Sequence, residues 1–154
     1  MDLQLFLPSF LGVLAAFGLE HLWSYAGDRR ARADLLRGIK DELEQGKERL
    51  DELQGKLVPR DSWESAINSG QAMLLKHEVR SQIRRLYFAI DNYNYEIKLV
   101  RQLKEQARQA IGAPDEDAKA RLGSVRWRQS VETQKSLSAA IETLLKQDFW
   151  AQDC

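Results

Sequence analysis

Seventeen consecutive residues without a charge, Leu3 to Leu19 (LQLFLPSFLGVLAAFGL), open a chain of 154 residues. A run of that length is at the short edge of what spans a hydrocarbon core of about 30 Å. After Glu20 and His21 a second uncharged stretch runs from Leu22 to Gly27. Residues 3 to 27 as one helix would extend roughly 37 Å at about 1.5 Å per residue, which is enough to span. Trp23 and Tyr25 fall where an interfacial aromatic belt belongs. Arg29, Arg30 and Arg32 follow at once and supply the basic flank that stays on the cytoplasmic side. The pattern predicts a transmembrane helix over residues 1–27, single-pass in the inner (cytoplasmic) membrane with its N-terminus outside, and a cytoplasmic region over residues 28–154. A signal peptide fits poorly, because a basic n-region and an A-x-A cleavage site are both missing. Apolar residues surround the helix instead of forming one stripe, which disfavours an interfacial helix.

Within that segment Gly12 and Ala16 form a small-xxx-small pair, where a second helix can approach closely, and they are the candidates for span association. Glu20 and His21 are the ionisable groups inside the hydrophobic stretch and are candidate ion contacts, with snorkelling to the nearby interface as the simpler account. Trp23, Tyr25, Arg29, Arg30 and Arg32 are the candidate membrane anchors, and the lipid bilayer is the first expected partner.

Beyond the basic flank, Leu36, Ile39, Leu43, Leu50, Leu53 and Leu57 follow heptad spacing, with Gly46 at the one core position that lacks a side chain. With no proline between Ser9 and Val58, the membrane helix is expected to continue into this one as a rod of about 50 residues. The sign-alternating charges of RGIKDELEQGKERLDE read as a solvated face. Val58-Pro59-Arg60 ends the rod, and Asp61 with Glu64 resembles a capping box opening a short helix to Asn68, closed by Ser69-Gly70. Trp63, Ala66 and Ile67 give it an apolar edge suited to covering one end of a bundle. Val79, Ile83, Leu86, Ile90, Tyr93, Ile97 and Val100 then keep strict 4-3 spacing, predicting a helix from Lys76 to Ile111, stopped by Gly112 and Pro114. A third helix, with Asp115, Glu116 and Asp117 in its first turn, is expected to reach Gln147, with Leu122 and Val125 before a polar middle and then the apolar stripe Leu137, Ile141, Leu144 and Leu145. The fold expected is all-α: an N-terminal transmembrane helix continuing into an antiparallel three-helix coiled-coil bundle. Its core candidates are Leu36, Ile39, Leu43, Leu50, Leu53, Val79, Ile83, Leu86, Ile90 and Ile97.

Three further features admit two readings each. YFAIDNYNYE, from Tyr87 to Glu96, is a buried polar layer that fixes register, or else a small-molecule or partner site on the same face. Arg126-Trp127-Arg128 and Phe149-Trp150 meet headgroups or a partner, or close the bundle.

Catalytic signatures are missing. No phosphate loop, GxSxG elbow or HExxH helix occurs, and His21 and His77 lie far apart, so no catalytic residue, cofactor or metal is expected. With 23 Lys+Arg against 23 Asp+Glu the net charge is +0, which argues against a nucleic-acid partner. A lone cysteine, Cys154, excludes an intrachain disulfide scaffold.

The order of features, GVLAAFGLEHLW, then arginines, then LLRGIKDELEQGKERLDEL, SWESAINSGQ and RRLYFAIDNYNYE, resembles uncharacterised single-span prokaryotic membrane proteins of the domain-of-unknown-function type, over about residues 8 to 100. The resemblance implies a topology, a short span followed by a charged cytoplasmic helix, and no activity. The function expected from these features is a non-enzymatic, membrane-anchored assembly or interaction protein. It would act as a homo-oligomer or as an accessory subunit of a larger membrane protein complex. The alternative is a small oligomeric ion channel or sensor formed by a ring of spans, with Glu20 or His21 near its mouth.

Overall fold

The computed structural model describes the backbone of residues 3–52, 55–109 and 116–152, and the side chains of residues 15–52, 55–109, 117 and 121–150. Every regular element among these is helical: α1 (Leu3–Asp51), α2 (Asp61–Asn68), a 3-10 turn (Gln71–Leu74), α3 (His77–Gln109), α4 (Glu116–Leu145) and α5 (Phe149–Gln152). The all-α expectation therefore holds. The first rod is one continuous helix of 49 residues, and it stops at Asp51, short of Leu57. Leu53 lies outside the described residues, as do the Gly112 and Pro114 helix stop and Cys154.

The heptad positions pack as their spacing requires. Leu36, Ile39, Leu43 and Leu50 of α1, Ile83, Leu86, Ile90, Tyr93 and Ile97 of α3, and Leu137, Ile141 and Leu144 of α4 form one buried cluster. Val79 and Leu57 are half-buried at its margin. Helix directions follow from the cross-links. Glu42 meets Tyr87, and Val58 of the return loop, which lies against Gly46 of α1, meets Asn94, so sequence number rises together along α1 and α3. Lys47 meets Glu142, and Asp51 meets Ser138, so α4 runs opposite to α1. Two consecutive long helices lie parallel because the segment between them brings the chain back along the flank of α1.

That return is made by α2 and the 3-10 turn, which pack on α1 and on each other. α2 packs on the flank of α1, with Trp63 and Ala66 buried. The expected capping box is absent. Arg60 is the N-cap residue and no side chain caps α2 locally. Instead Glu42, one helix away, accepts the Ser62 N–H through Oε2 at 2.6 Å. A carboxylate at a helix N-terminus is stabilised by the free N–H groups and the dipole wherever in the chain it originates. Gly70, at φ 77°, makes the left-handed turn between α2 and the 3-10 segment that a side chain would strain.

Gly46 owes its identity to the return loop. A Cβ there would sit 2.7 Å from Val58 Cγ1, so the empty heptad position is filled from outside by Val58.

Candidate functional site

From Ala15 to Arg30 every α1 side chain is exposed, and burial begins only at Ala31. Large apolar groups stand in this free stretch: Phe17, Leu19, Leu22, Trp23 and Tyr25 are 59 to 80% exposed. At Gly18 and at Gly27 no atom of the described residues lies within 4 Å of the place a Cβ would take. At 3.6 residues per turn, these five side chains fall at about 0°, 200°, 140°, 240° and 80° around the axis, an arc of roughly two-thirds of the circumference. Glu20 and Ser24, at about 300° and 340°, fall in the remaining third, while Asp28 and His21, at about 20° and 40°, lie within the apolar arc between Phe17 and Tyr25. A contiguous exposed apolar surface of this kind marks an interaction face or an aggregation liability.

The residues selected for membrane contact are accordingly together on one projecting rod. Trp23, Tyr25, Arg29 and Arg30 are exposed, and Arg32 is half-buried where the bundle begins. Glu20, His21 and Ala16 are exposed on the same rod, whereas Gly12 lies outside the residues with described side chains. Among the described residues no helix is long and apolar enough to cross a membrane. Most of the uncharged run, residues 3–14, belongs to the part whose side chains are not described.

The polar cluster of α3 has a definite task. Asn94 donates from Nδ2 to the Val58 carbonyl and accepts the Val58 N–H at Oδ1, both at 2.8 Å. Arg101 donates to the Gly55 carbonyl at 3.0 Å. Gln134 of α4 donates to the Leu50 carbonyl. Three side chains from two helices thus satisfy the backbone where α1 ends and the loop crosses the bundle. These groups would otherwise be buried without partners. Gly55, at φ 58°, bends under Trp127, whose ring faces the place a Cβ would take at 3.2 Å. Lys104 Nζ lies 4.4 Å from the centre of that ring, and Arg126 pairs with Glu96 at 3.4 Å. Trp150 is buried and donates from its indole to the Leu144 carbonyl at 2.7 Å. Both aromatic motifs contribute to packing within the chain.

Glu42 corrects the reading of the α1 charges as a wholly solvated face. It is 6% exposed and accepts from the Tyr87 hydroxyl as well as from Ser62. Burial first, and then the Glu42 carboxylate through its hydrogen bond and charge, push the Tyr87 hydroxyl far above its ordinary pKa, so it remains a donor. Trp63 stacks on the Tyr87 ring at 5.6 Å between centroids and 20° between planes. Arg60 ties the outer edge by pairing with both Glu64 and Asp91, which raise its pKa further. The sequence missed Glu42 because it sits in a charged run, between Lys40, Asp41 and Glu44. The available signal was its position beside Leu43 at the edge of the heptad seam.

No group of three or more His, Cys, Asp or Glu among the described residues is arranged to hold a metal ion. Compared with known protein families, curated proteins and solved structures, the chain matches none.

Proposed function

We propose that this protein is a non-enzymatic, membrane-anchored helical assembly protein. Its α1 rod enters the inner membrane through its N-terminal part, and its bundle projects into the cytoplasm as a homo-oligomer or as an accessory of a larger membrane complex. The observation that carries the reading is the projecting stretch from Ala15 to Arg30, exposed on every side and continuous with the uncharged run that precedes it. A flat protein partner covers a stripe on a helix of the order of 100° wide, whereas lipid and interface solvate the whole circumference. The order of apolar residues, aromatics and arginines along the rod is that of a bilayer boundary read from inside to out. The resemblance to single-span prokaryotic proteins supports the same topology.

Assembly is supported by the rigid connection between rod and bundle. One helix passes through both without a break, so association of either part orients the other. The test is the mass of the full chain extracted from membranes in mild detergent, measured by light scattering that separates protein from detergent. A discrete multiple of the chain mass, or a larger mass with defined foreign subunits, is the expected result. A bare monomer at all accessible concentrations contradicts the assembly role.

A further inference from the structure

α2, the 3-10 turn and the start of α3 border a cleft of about 530 Å³. Its floor includes Trp63, Ile67 and Met73, and its rim carries His77, Arg80 and Arg84 from the first two turns of α3. Ile67 and Met73 are 53% and 74% exposed, so apolar surface lies open beside the cations. Among the described residues neither Arg80 nor Arg84 has a carboxylate within salt-bridge distance, a condition they share with other arginines of the chain such as Arg85 and Arg128, which do not line this cleft. The hydrogen-bond partner of the Arg80 guanidinium is the Met73 thioether, 2.7 Å away, a weak acceptor for a full positive charge. Two guanidiniums one helical turn apart, unneutralised and beside an apolar floor, fit an anionic amphiphile.

The position in the bundle says which amphiphile. Tyr87 is level with Glu42, and α1 and α3 are parallel. Stepping back ten residues, about 15 Å, along both helices brings His77 level with Arg32. The cleft therefore lies at the end of the bundle from which the α1 rod projects, roughly 12 Å along the axis from Gly27. Side chains on a helix lean toward its N-terminus, so Arg80 and Arg84 lean toward that same end. The Arg80–Met73 contact has this direction.

We infer that the cleft between α2 and the start of α3 binds the headgroup of an anionic phospholipid from the adjoining leaflet. Arg80 and Arg84 hold the phosphate, and Trp63, Ile67 and Met73 lie against the first carbons of an acyl chain. The inference rests on the membrane-anchored reading, because that reading makes the bilayer the neighbouring source of phosphate. A bound lipid would fix the height and the rotation of the bundle on the membrane, which a single helical rod alone leaves free.

The test is native mass spectrometry of the full chain in mixed micelles containing equal phosphatidylglycerol and phosphatidylcholine. Selective retention of phosphatidylglycerol is expected. Its affinity should fall about 5-fold for each guanidinium lost and about 30-fold in Arg80→Gln/Arg84→Gln. Met73→Glu, at an exposed position, should weaken retention comparably by neutralising Arg80, and Arg121→Gln/Arg128→Gln on the distal part of α4 should leave it unchanged. Equal retention of the two lipids, or retention unaffected by Arg80→Gln/Arg84→Gln, would overturn the inference. So would complete displacement by millimolar inorganic phosphate, which would make the ligand a free oxyanion. Recovery of the full chain in the membrane fraction is scored separately. A chain found in membranes without lipid selectivity loses only this inference, and a chain absent from membranes loses the reading beneath it.

Discussion

Replacing Asn94 by alanine removes the clamp that holds the return loop to the bundle. Both Asn94 bonds go to Val58, whose backbone is enclosed by the core: Asn94 is 8% exposed and Val58 2%. Two net hydrogen bonds are worth about 1 kcal/mol each, and leaving a buried N–H and C=O without partners adds about 1 kcal/mol or more, giving roughly 3 kcal/mol. With an m-value near 2 kcal/mol/M, the urea midpoint of the full chain in mild detergent should move down by about 1.5 M. The signals to follow are near-ultraviolet dichroism and tryptophan fluorescence, since Trp63 and Trp127 flank the loop. Asn94→Asp gives a sharper test. Its carboxylate still accepts the Val58 N–H but faces the Val58 carbonyl with a second acceptor. Its deficit relative to the unsubstituted chain should therefore shrink as pH falls and the protonated carboxyl regains a donor. Asn92→Ala, exposed one turn face away, should change stability by less than about 0.5 kcal/mol. A loss below about 0.5 kcal/mol in Asn94→Ala would refute the clamp.

Gly46→Ala sets helix propensity against packing. Propensity alone would stabilise by about 1 kcal/mol, whereas forcing Val58 aside costs about 1–3 kcal/mol. Net destabilisation in urea is expected, and stabilisation would contradict the fit of Val58 into the helix surface. Burial raises the pKa of the Tyr87 and Tyr93 hydroxyls, with the Glu42 carboxylate adding to the effect at Tyr87 and Arg101 opposing it at Tyr93. A raised folded-state pKa contributes stability that is complete below the unfolded value of about 10 and is lost as pH rises beyond it. Stability should therefore fall above pH ~10, and less steeply in Tyr87→Phe; equal slopes in the two proteins would exclude Tyr87 as a source. Gly55→Ala must strain a backbone at φ 58° while pressing on Trp127, so it should destabilise and change the Trp127 fluorescence. An unchanged melt would refute the requirement for glycine there.

The helices were legible because their information is local. The heptad residues Leu36, Ile39, Leu43 and Leu50, and the 4-3 series from Ile83 to Ile97, mark which face of each helix is buried whatever it is buried against. That same indifference to the partner hid the arrangement. No periodicity tells whether α1 and α3 run parallel, because direction is set by where α2 turns and what it rests on. The polar contacts were hidden for a related reason. Glu42, Asn94 and Gln134 act on backbone groups 20, 36 and 84 residues away, and a side chain's distant acceptor leaves no mark in its own neighbourhood. The register-fixing reading of the Tyr87–Glu96 cluster anticipated the kind of interaction, but not that its object is the loop at Val58. Trp23, Tyr25, Arg29 and Arg30 need no tertiary partner to be placed, since one helix places them all.

The most direct measurement is the distribution of the full-length chain between membrane pellet and supernatant after an alkaline carbonate wash. Insertion of the α1 rod into lipid keeps the chain in the pellet, and Phe17→Lys/Leu19→Lys/Leu22→Lys releases it into the supernatant with the melting transition of the bundle intact. Recovery of the unsubstituted chain in the supernatant, or retention of the triply charged variant in the pellet, would contradict the anchoring of this protein through the exposed apolar stretch of α1.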